Sequence, residues 1–406
     1  MTPYVPRYLA SIVTEALKEM PVVVISGARQ TGKSMFLQNQ AEFGTRAYIT
    51  LDDFEILEAA KTSPRRLITA QTPLTIDEVQ RCPEIFMEIK SYLEKVKKPG
   101  MFLLSGSANF SMLKKVSETL AGRAIYYPMR PMIRREIIGK RERPFLLEWF
   151  EKKSPSHADF PLPPILEKEV LLGGFPPVVL NQAKNRELWF KGFKQTYIER
   201  DVQQFARITN TISFKNLLEL TALRSGNLLS QSQLGRDAGL NVMTTGRYLS
   251  LFETSFLITR ITPFLKNRSQ RLIKSPKIFF CDSGLACYLS RVTAPFSDPL
   301  GGAMFETYVA QNLQGIIDQS PMEVSLHFWN IQGRHEVDFI IDGGRNCLAV
   351  EVKMGERWHP SDFSGLRHFL EKTPACFAGV LAYNGVGMAK QIDEKLWTIP
   401  LGLLLS

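Results

Sequence analysis

Residues 22–34 read Val22-Val23-Val24-Ile25-Ser26-Gly27-Ala28-Arg29-Gln30-Thr31-Gly32-Lys33-Ser34. Val22 to Ser26 is a β-branched run between Pro21 and Gly27, the pattern of a short buried strand. The next eight residues spell G-x-x-x-x-G-K-S, and Met35, Phe36 and Leu37 open a helical pattern. Strand, glycine loop and helix together are the context of a phosphate-binding loop. Gly27 and Gly32 let the backbone curl so that its N–H groups face an anion. The helix start adds unpaired N–H groups and a positive dipole end. Gly27, Ala28, Arg29, Gln30, Thr31, Gly32, Lys33, Ser34 and Met35 are therefore expected to wrap the phosphates of a nucleotide. Lys33 is expected to reach the β- and γ-phosphates, and Ser34 to offer its hydroxyl to Mg²⁺.

Working outward, Leu74-Thr75-Ile76-Asp77-Glu78 is a short apolar strand with two acidic residues at its carboxyl end. Asp77 is placed to hold Mg²⁺ through its water shell, and Glu78 to polarise an attacking water as general base. Strands are read at 22–26, 47–51, 74–78, 101–105 and 124–129, with helices between them, the longest from Pro83 to Val96. They make a doubly wound α/β sheet with its ligand at the carboxyl edge. Ser107 and Asn109, after the fourth strand, are candidates to touch the γ-phosphate. Arg123, after a helix over 111–121, is a candidate positive charge for a phosphate of its own or a neighbouring chain. Residues 1–20 read as a helix with Tyr8, Ile12, Ala16 and Leu17 on its apolar face.

Beyond this first unit, a charged stretch from Arg134 to Arg143 leads to a proline cluster at 155, 161, 163 and 164, which reads as a linker or extended loop. A long helix over 189–205 carries Glu199, Arg200 and Asp201, whose charges suit surface pairs; an Arg200 contact with a nucleotide stays open. Helices at 214–223, 231–238 and 243–253, then strands at 256–261 and 277–280, suggest a winged helix. Its connecting tip, with Lys266, Arg268, Arg271 and Lys274, is suited to gripping nucleic-acid phosphates. In the last part, Glu306 lies on a helix, Asp338 on one strand, and Glu351 and Lys353 on the next. A hairpin of this length brings Asp338 and Glu351 to one point, where two carboxylates hold Mg²⁺, with Lys353 on the same face beside a water. The alternative for Glu351 and Lys353 is a cross-strand charge pair.

The chain has 406 residues, so two or three cores are expected. Its 44% hydrophobic and 22% charged content excludes large-scale disorder. A net charge of +10 is compatible with a nucleic-acid partner. The five cysteines, Cys82, Cys281, Cys287, Cys347 and Cys376, are scattered and form no C-x-x-C pair, which argues against a zinc site or disulfide framework. No stretch has the apolar length of a membrane span and the start lacks a signal-peptide core, so a cytoplasmic protein without a membrane partner is expected.

The motifs Gly27–Ser34, Ile76-Asp77-Glu78, Ser105-Gly106-Ser107, Ala121-Gly122-Arg123, Gly173-Gly174-Phe175-Pro176, Tyr197–Asp201, Lys277–Leu285 and Glu336–Phe339 run in order along the chain. In this the chain resembles the bacterial and archaeal AAA-superfamily ATPases with an uncharacterised C-terminal region. The resemblance implies ATP binding and hydrolysis, a winged helix and a restriction-endonuclease-like, PD-(D/E)xK domain, though Val337 stands where that pattern has proline. The expected architecture is α/β: a P-loop NTPase parallel sheet over 1–135, a linker and helical lid over 136–213, a winged helix over 214–285 and an α/β nuclease-like domain over 286–406. Three functions remain open: an ATP-hydrolysing switch acting with DNA or a protein partner, an ATP-gated nuclease using Glu306, Asp338, Glu351 and Lys353, and a non-catalytic ATP-binding adaptor. A homo-oligomer is compatible with each.

Overall fold

Six consecutive buried residues, Val22–Gly27, form strand β1, as a parallel strand covered on both faces must. The computed structural model describes residues 4–107, 118–155, 161–202, 208, 210–265, 267–331 and 334–406. Strands β2 (Ala47–Thr50), β3 (Leu74–Asp77), β4 (Phe102–Ser107) and β5 (Ala124–Pro128) join β1 in the order β2-β3-β4-β1-β5. Every pair in this sheet is parallel.

Alternate residues of β1 face opposite sides. Val23 and Ile25 pack on helices α1 (Leu9–Glu19) and α2 (Lys33–Asn39) through Leu9, Val13, Phe36 and Leu37. Val22 and Val24 share a core with α3 (Phe54–Thr62), α4 (Pro64–Ala70) and α5 (Ile85–Lys95) through Leu57, Ile68, Ile85 and Ile89. Tyr8 does not lie on the apolar face of α1. It is the residue before the helix, and its ring packs under the Arg135 guanidinium at 4.4 Å. The helix expected over 111–121 lies mostly outside the described residues.

The charged stretch after β5 is buried in its first three residues and exposed from Ile138 to Arg143. Arg134, Arg135 and Glu136 are buried in helix α6 (Arg134–Ile137). Arg134 donates to the Pro163 carbonyl at 3.0 Å and pairs with Glu169 at 2.9 Å, while its backbone N–H donates to Asn312 at 2.6 Å. A guanidinium carries five donors, and carbonyls plus one carboxylate satisfy enough of them to keep it inside. Short helices come next: α7 (Phe145–Lys152), α8 (Glu167–Leu172), α9 (Pro176–Val179) and α10 (Arg186–Phe193), the last running into a π-helical stretch, Lys194–Val202.

Helices α11 (Thr211–Leu223), α12 (Gln231–Ala238) and α13 (Val242–Thr254) precede strand β6 (Ile258–Pro263), helix α14 (Arg268–Ile273) and strand β7 (Lys277–Phe280), which pairs antiparallel with β6. This hairpin is not a free wing, because β6 also pairs in parallel with β8 (Ser325–Ile331). Helices α15 (Ser283–Ser290) and α16 (Gly301–Asp318) lead to β8, β9 (His335–Asp342) and β10 (Cys347–Lys353). Helix α17 (Ser364–Lys372), strands β11 (Cys376–Tyr383), β12 (Lys390–Asp393) and β13 (Leu396–Pro400), and helix α18 (Leu401–Leu404) complete the chain. The second sheet has eight strands, ordered β12-β13-β11-β10-β9-β8-β6-β7. A division at residue 285 therefore separates β6 and β7 from the rest of their own sheet, and a single apolar cluster holds residues from Phe145 through to Leu405, with a second around Trp329, Val337 and Phe369. All five cysteines are buried and free. Among the described residues no helix is long and apolar enough to cross a membrane.

Arg7 ties the segment before α1 to the end of the first sheet. It is 4% exposed, pairs with Glu136 at 3.1 Å, and donates to the Thr31 carbonyl at 2.9 Å and the Arg130 carbonyl at 2.8 Å. Glu136 in turn accepts from the Tyr8 and Ile133 N–H groups. Arg7→Ala leaves a buried carboxylate without its cation, so urea unfolding is expected to show a loss of about 3–5 kcal/mol.

Candidate nucleotide site and a distal charge cluster

The glycine loop leaves β1 beside the backbone of Met129. Met129 donates its N–H to the Ser26 carbonyl at 2.6 Å, and a Cβ on Gly27 would lie 2.3 Å from the Met129 carbonyl oxygen. Only glycine fits there. The chain then takes left-handed conformations at Gln30 (φ 66°) and Gly32 (φ 92°), a turn of the kind that points successive N–H groups inward. Thr31 closes the loop on itself, its hydroxyl donating to the Ala28 carbonyl at 3.0 Å. The Lys33 ammonium is buried and donates to the carbonyls of Gly27 at 3.1 Å and Ala28 at 2.8 Å. Burial lowers its pKa to about 8, against the opposing pull of the Glu78 and Asp77 charges.

Strand β4 separates β3 from β1, so Asp77 reaches the loop's neighbourhood across it. Asp77 is 1% exposed and accepts from the Tyr48 hydroxyl at 2.9 Å, from the Glu78 N–H at 3.0 Å and from the Ser105 hydroxyl. Tyr48 comes from β2 and Ser105 from β4, so the two flanking strands lock the carboxylate in place. Glu78 is left-handed (φ 54°), a conformation a glutamate adopts only under constraint. Its carboxylate accepts from the Gln80 side-chain amide. Arg81 pairs with Asp52 at 2.6 Å beside it.

The loop, Ser34, Met35, Glu78, Gln80 and Arg81 line one open cleft of about 800 Å³. Its other wall is Met132, Pro176, Pro177, Leu180 and Gln182. The expected loop residues from Arg29 to Met35 thus meet Glu78 in one place. Arg123 does not join them. Its carbonyl accepts from the Val22 N–H at 3.1 Å, at the amino end of β1, and its side chain lies 3.7 Å from Glu94. The whole length of β1 separates it from its own chain's loop. Ser107 ends β4 opposite Gly27, and Asn109 lies outside the described residues, as does Lys266 at the expected basic tip. Sequence reasoning missed Arg7, Tyr48, Ser105 and Gln80, which hold the site residues from behind. The signal available for Ser105 was its place level with Ile25, two residues before the loop begins.

The second constellation also assembles, with an unforeseen member. Lys277 of β7 pairs with Glu306 at 3.0 Å and Glu336 at 2.6 Å, and lies 4.0 Å from Asp338. Asp338 accepts from the Val352 N–H at 2.8 Å, and Lys353 pairs with Glu351 at 3.0 Å. Burial raises the pKa of Glu306, Asp338 and Glu351. Burial alone would lower that of Lys277, but the charges of Glu306, Asp338 and Glu336 raise it instead. Among the described residues no three His, Cys, Asp or Glu side chains stand in metal-holding geometry. Where Mg²⁺ is expected on Glu306, Asp338 and Glu351, the structure places the ammonium of Lys277 between Glu306 and Asp338. Arg271 is likewise not free for nucleic acid. It pairs with Asp342 at 2.6 Å, donates to the Leu265 carbonyl at 2.7 Å and lies 4.4 Å over the Phe264 ring.

Comparison with known proteins finds matches along the chain. Residues 19–138 match a family model described as an AAA domain, which supports a P-loop unit of AAA type in this part of the chain. Residues 164–295 and 301–404 match two models described as domains of unknown function, DUF8612 and DUF4143. An uncharacterized protein of Mycobacterium tuberculosis is 25% identical over 353 residues, covering 86% of this chain and 73% of its own. One of Haemophilus influenzae is 21% identical over 365 residues, 84% of this chain and 85% of its own. Among solved structures, a Walker-type ATPase of Pyrococcus abyssi is similar at 13% identity and a TM-score of 0.45, covering 71% of this chain and 98% of its own.

Lys277→Met strands Glu306 and Asp338 without their cation. A loss of about 3–5 kcal/mol is expected near neutral pH. Both carboxyls have folded pKa values above their unfolded ones, so their ionisation costs stability as pH rises, and more so without Lys277. The penalty is therefore expected to shrink toward pH 4–5, which urea melts at two pH values check.

Proposed function

We propose that this chain is an ATP-binding and ATP-hydrolysing switch of the AAA type. The observation that supports it best is the buried Lys33 inside a left-handed glycine loop, across one strand from a carboxylate pair and facing an open cleft. Lys33 exchanges its carbonyl partners for the β- and γ-phosphates of the nucleotide. Ser34 and Asp77 offer hard oxygen donors, the chemistry that suits Mg²⁺, with Asp77 acting through bound water. A Mg²⁺ held there would neutralise charge on the phosphate oxygens. Glu78 orients a water for in-line attack on the γ-phosphorus and takes its proton as the bond to ADP breaks.

The output of this switch is the region beyond residue 210. Because Arg271 is tied to Asp342 and Phe264, a protein partner suits that region better than DNA. Because Lys277 stands between Glu306 and Asp338, the switch is favoured over ATP-gated DNA cleavage. Plasmid DNA incubated with Mg²⁺ and ATP is expected to stay intact; cleavage lost in Asp338→Ala would reverse that choice.

Two measurements test the ATP reading. Lys33→Ala is expected to abolish nucleotide binding in calorimetry. Glu78→Gln is expected to bind ATP normally while phosphate release falls by about 10²–10⁴. Turnover unaffected by Glu78→Gln would point to another base, whereas sub-stoichiometric turnover of the unaltered protein with intact nucleotide affinity would favour the adaptor. A third concerns pH. With the Lys33 pKa lowered to about 8, the free protein loses that positive charge as pH rises through this value. Affinity for a non-hydrolysable ATP analogue is expected to fall above it by up to about tenfold per pH unit, with proton uptake on binding.

A further inference from the structure

Gly173-Gly174-Phe175-Pro176 and Lys277–Leu285 are far apart in the chain, yet they interlock. The Gly174 N–H donates to Asp282 Oδ2 at 2.6 Å, and the Leu285 N–H to Asp282 Oδ1 at 2.8 Å, with Asp282 fully buried. Gly173 is left-handed (φ 68°), and a Cβ there would stand 2.3 Å from the Asp282 carboxylate. A Cβ on Gly174 would stand 2.1 Å from the Met132 carbonyl oxygen, while Met132 donates its N–H to the Gly174 carbonyl at 2.7 Å. Ser283 completes the lock, its hydroxyl donating to the Val170 carbonyl at 2.8 Å and its N–H to Gln311 at 2.9 Å. The turn is thus gripped between Met132 and Asp282, with no room for a side chain on either glycine.

Immediately after this turn the chain forms the far wall of the nucleotide cleft. Pro176, Pro177 and Leu180 face the loop, and Pro176 Cγ comes within 3.6 Å of the position a Cβ would take on Gly32. With phosphates anchored at Lys33 and Ser34, the rest of a nucleotide lies along this wall, whose prolines and leucine suit the flat apolar faces of a base.

We propose that Asp282 is a positioning residue for the nucleotide: through the Gly173–Gly174 turn it fixes the Pro176–Leu180 wall against which the base end of ATP packs. This rests on the ATP reading above. It places a determinant of nucleotide affinity in the second half of the chain, on the segment whose other end carries Lys277 into the distal charge cluster. Nucleotide occupancy is therefore felt along β7 and α15.

The test is Asp282→Asn, which keeps the shape of the side chain, removes its charge and replaces one of its two accepting oxygens by a donor. The KM for ATP is expected to rise about tenfold, the effect of weakening hydrogen bonds to an ionised acceptor, while kcat stays within about twofold. A purely structural role would instead lower the active fraction and kcat with KM unchanged. An unchanged KM in Asp282→Asn, with Lys33→Ala still abolishing binding, overturns the proposal alone. Binding that survives Lys33→Ala overturns the ATP reading and the proposal with it. Should Asp282→Asn not fold, hydrogen exchange of the wild-type protein decides. A non-hydrolysable ATP analogue is expected to slow exchange at 27–35, 173–180 and 283–290. Slowing at 27–35 without slowing at the other two overturns the proposal.

Discussion

A backbone that must turn its amide groups toward an anion can do so only where no side chain stands in the way. That constraint acts at the end of β1, where Gly27 passes the Met129 carbonyl too closely for any Cβ. The left-handed residues Gln30 and Gly32 come next, and Lys33 is drawn inside to the carbonyls of Gly27 and Ala28. Everything around the loop supports this geometry from behind. Arg7 holds the Thr31 carbonyl, and Tyr48 and Ser105 hold Asp77 from the neighbouring strands. The strand order matters here: with β4 between β1 and β3, the acidic pair stands one strand away from the lysine rather than against it.

The remainder of the fold depends on charges taken inside and satisfied there. Arg7, Arg134 and Lys277 are each nearly inaccessible, and each has at least one carboxylate partner. Removing water from such a group is expensive unless its donors find acceptors, so these residues specify which segments must meet. Arg134 joins the end of the first sheet to Glu169 and the Pro163 carbonyl, and Asn312 receives its N–H. Arg130 reaches Asp318 and the Thr259 hydroxyl. The first sheet is thereby fastened to the helices and to the edge of the second sheet, and the nucleotide cleft acquires a wall from outside its own α/β unit.

Local patterns were legible where one period governs a whole element. The β-branched run of β1 and the acidic end of β3 could be read directly, as could α12, whose bounds at Gln231 and Ala238 were expected. The hairpin of β9 and β10 was legible for the same reason. Legibility failed where the partner lay far away in the chain. Arg134 to Glu136 read only as part of a charged stretch leading to the prolines, because nothing nearby announces Pro163, Glu169 or Asn312. Lys277 read as one end of a strand, and only the approach of α16 and β9 makes it the centre of a charge cluster. The β6–β7 pair read as a wing because its parallel contact with β8 depends on residues more than sixty positions later.

By itself the sequence determined the strand, glycine loop and helix of the first unit, since glycine, lysine and serine at fixed spacing constrain a continuous stretch of backbone. It also determined that Asp338, Glu351 and Lys353 would share one hairpin, because strand periodicity carries that information locally. Only the tertiary structure decided that Arg123 lies at the end of β1 opposite its own loop, that a lysine from another strand stands between distal carboxylates, and that Pro176 and Pro177 wall the cleft. Those outcomes arise from desolvation and packing between distant segments, whose free energies depend on what finally surrounds each group and not on its neighbours in the chain.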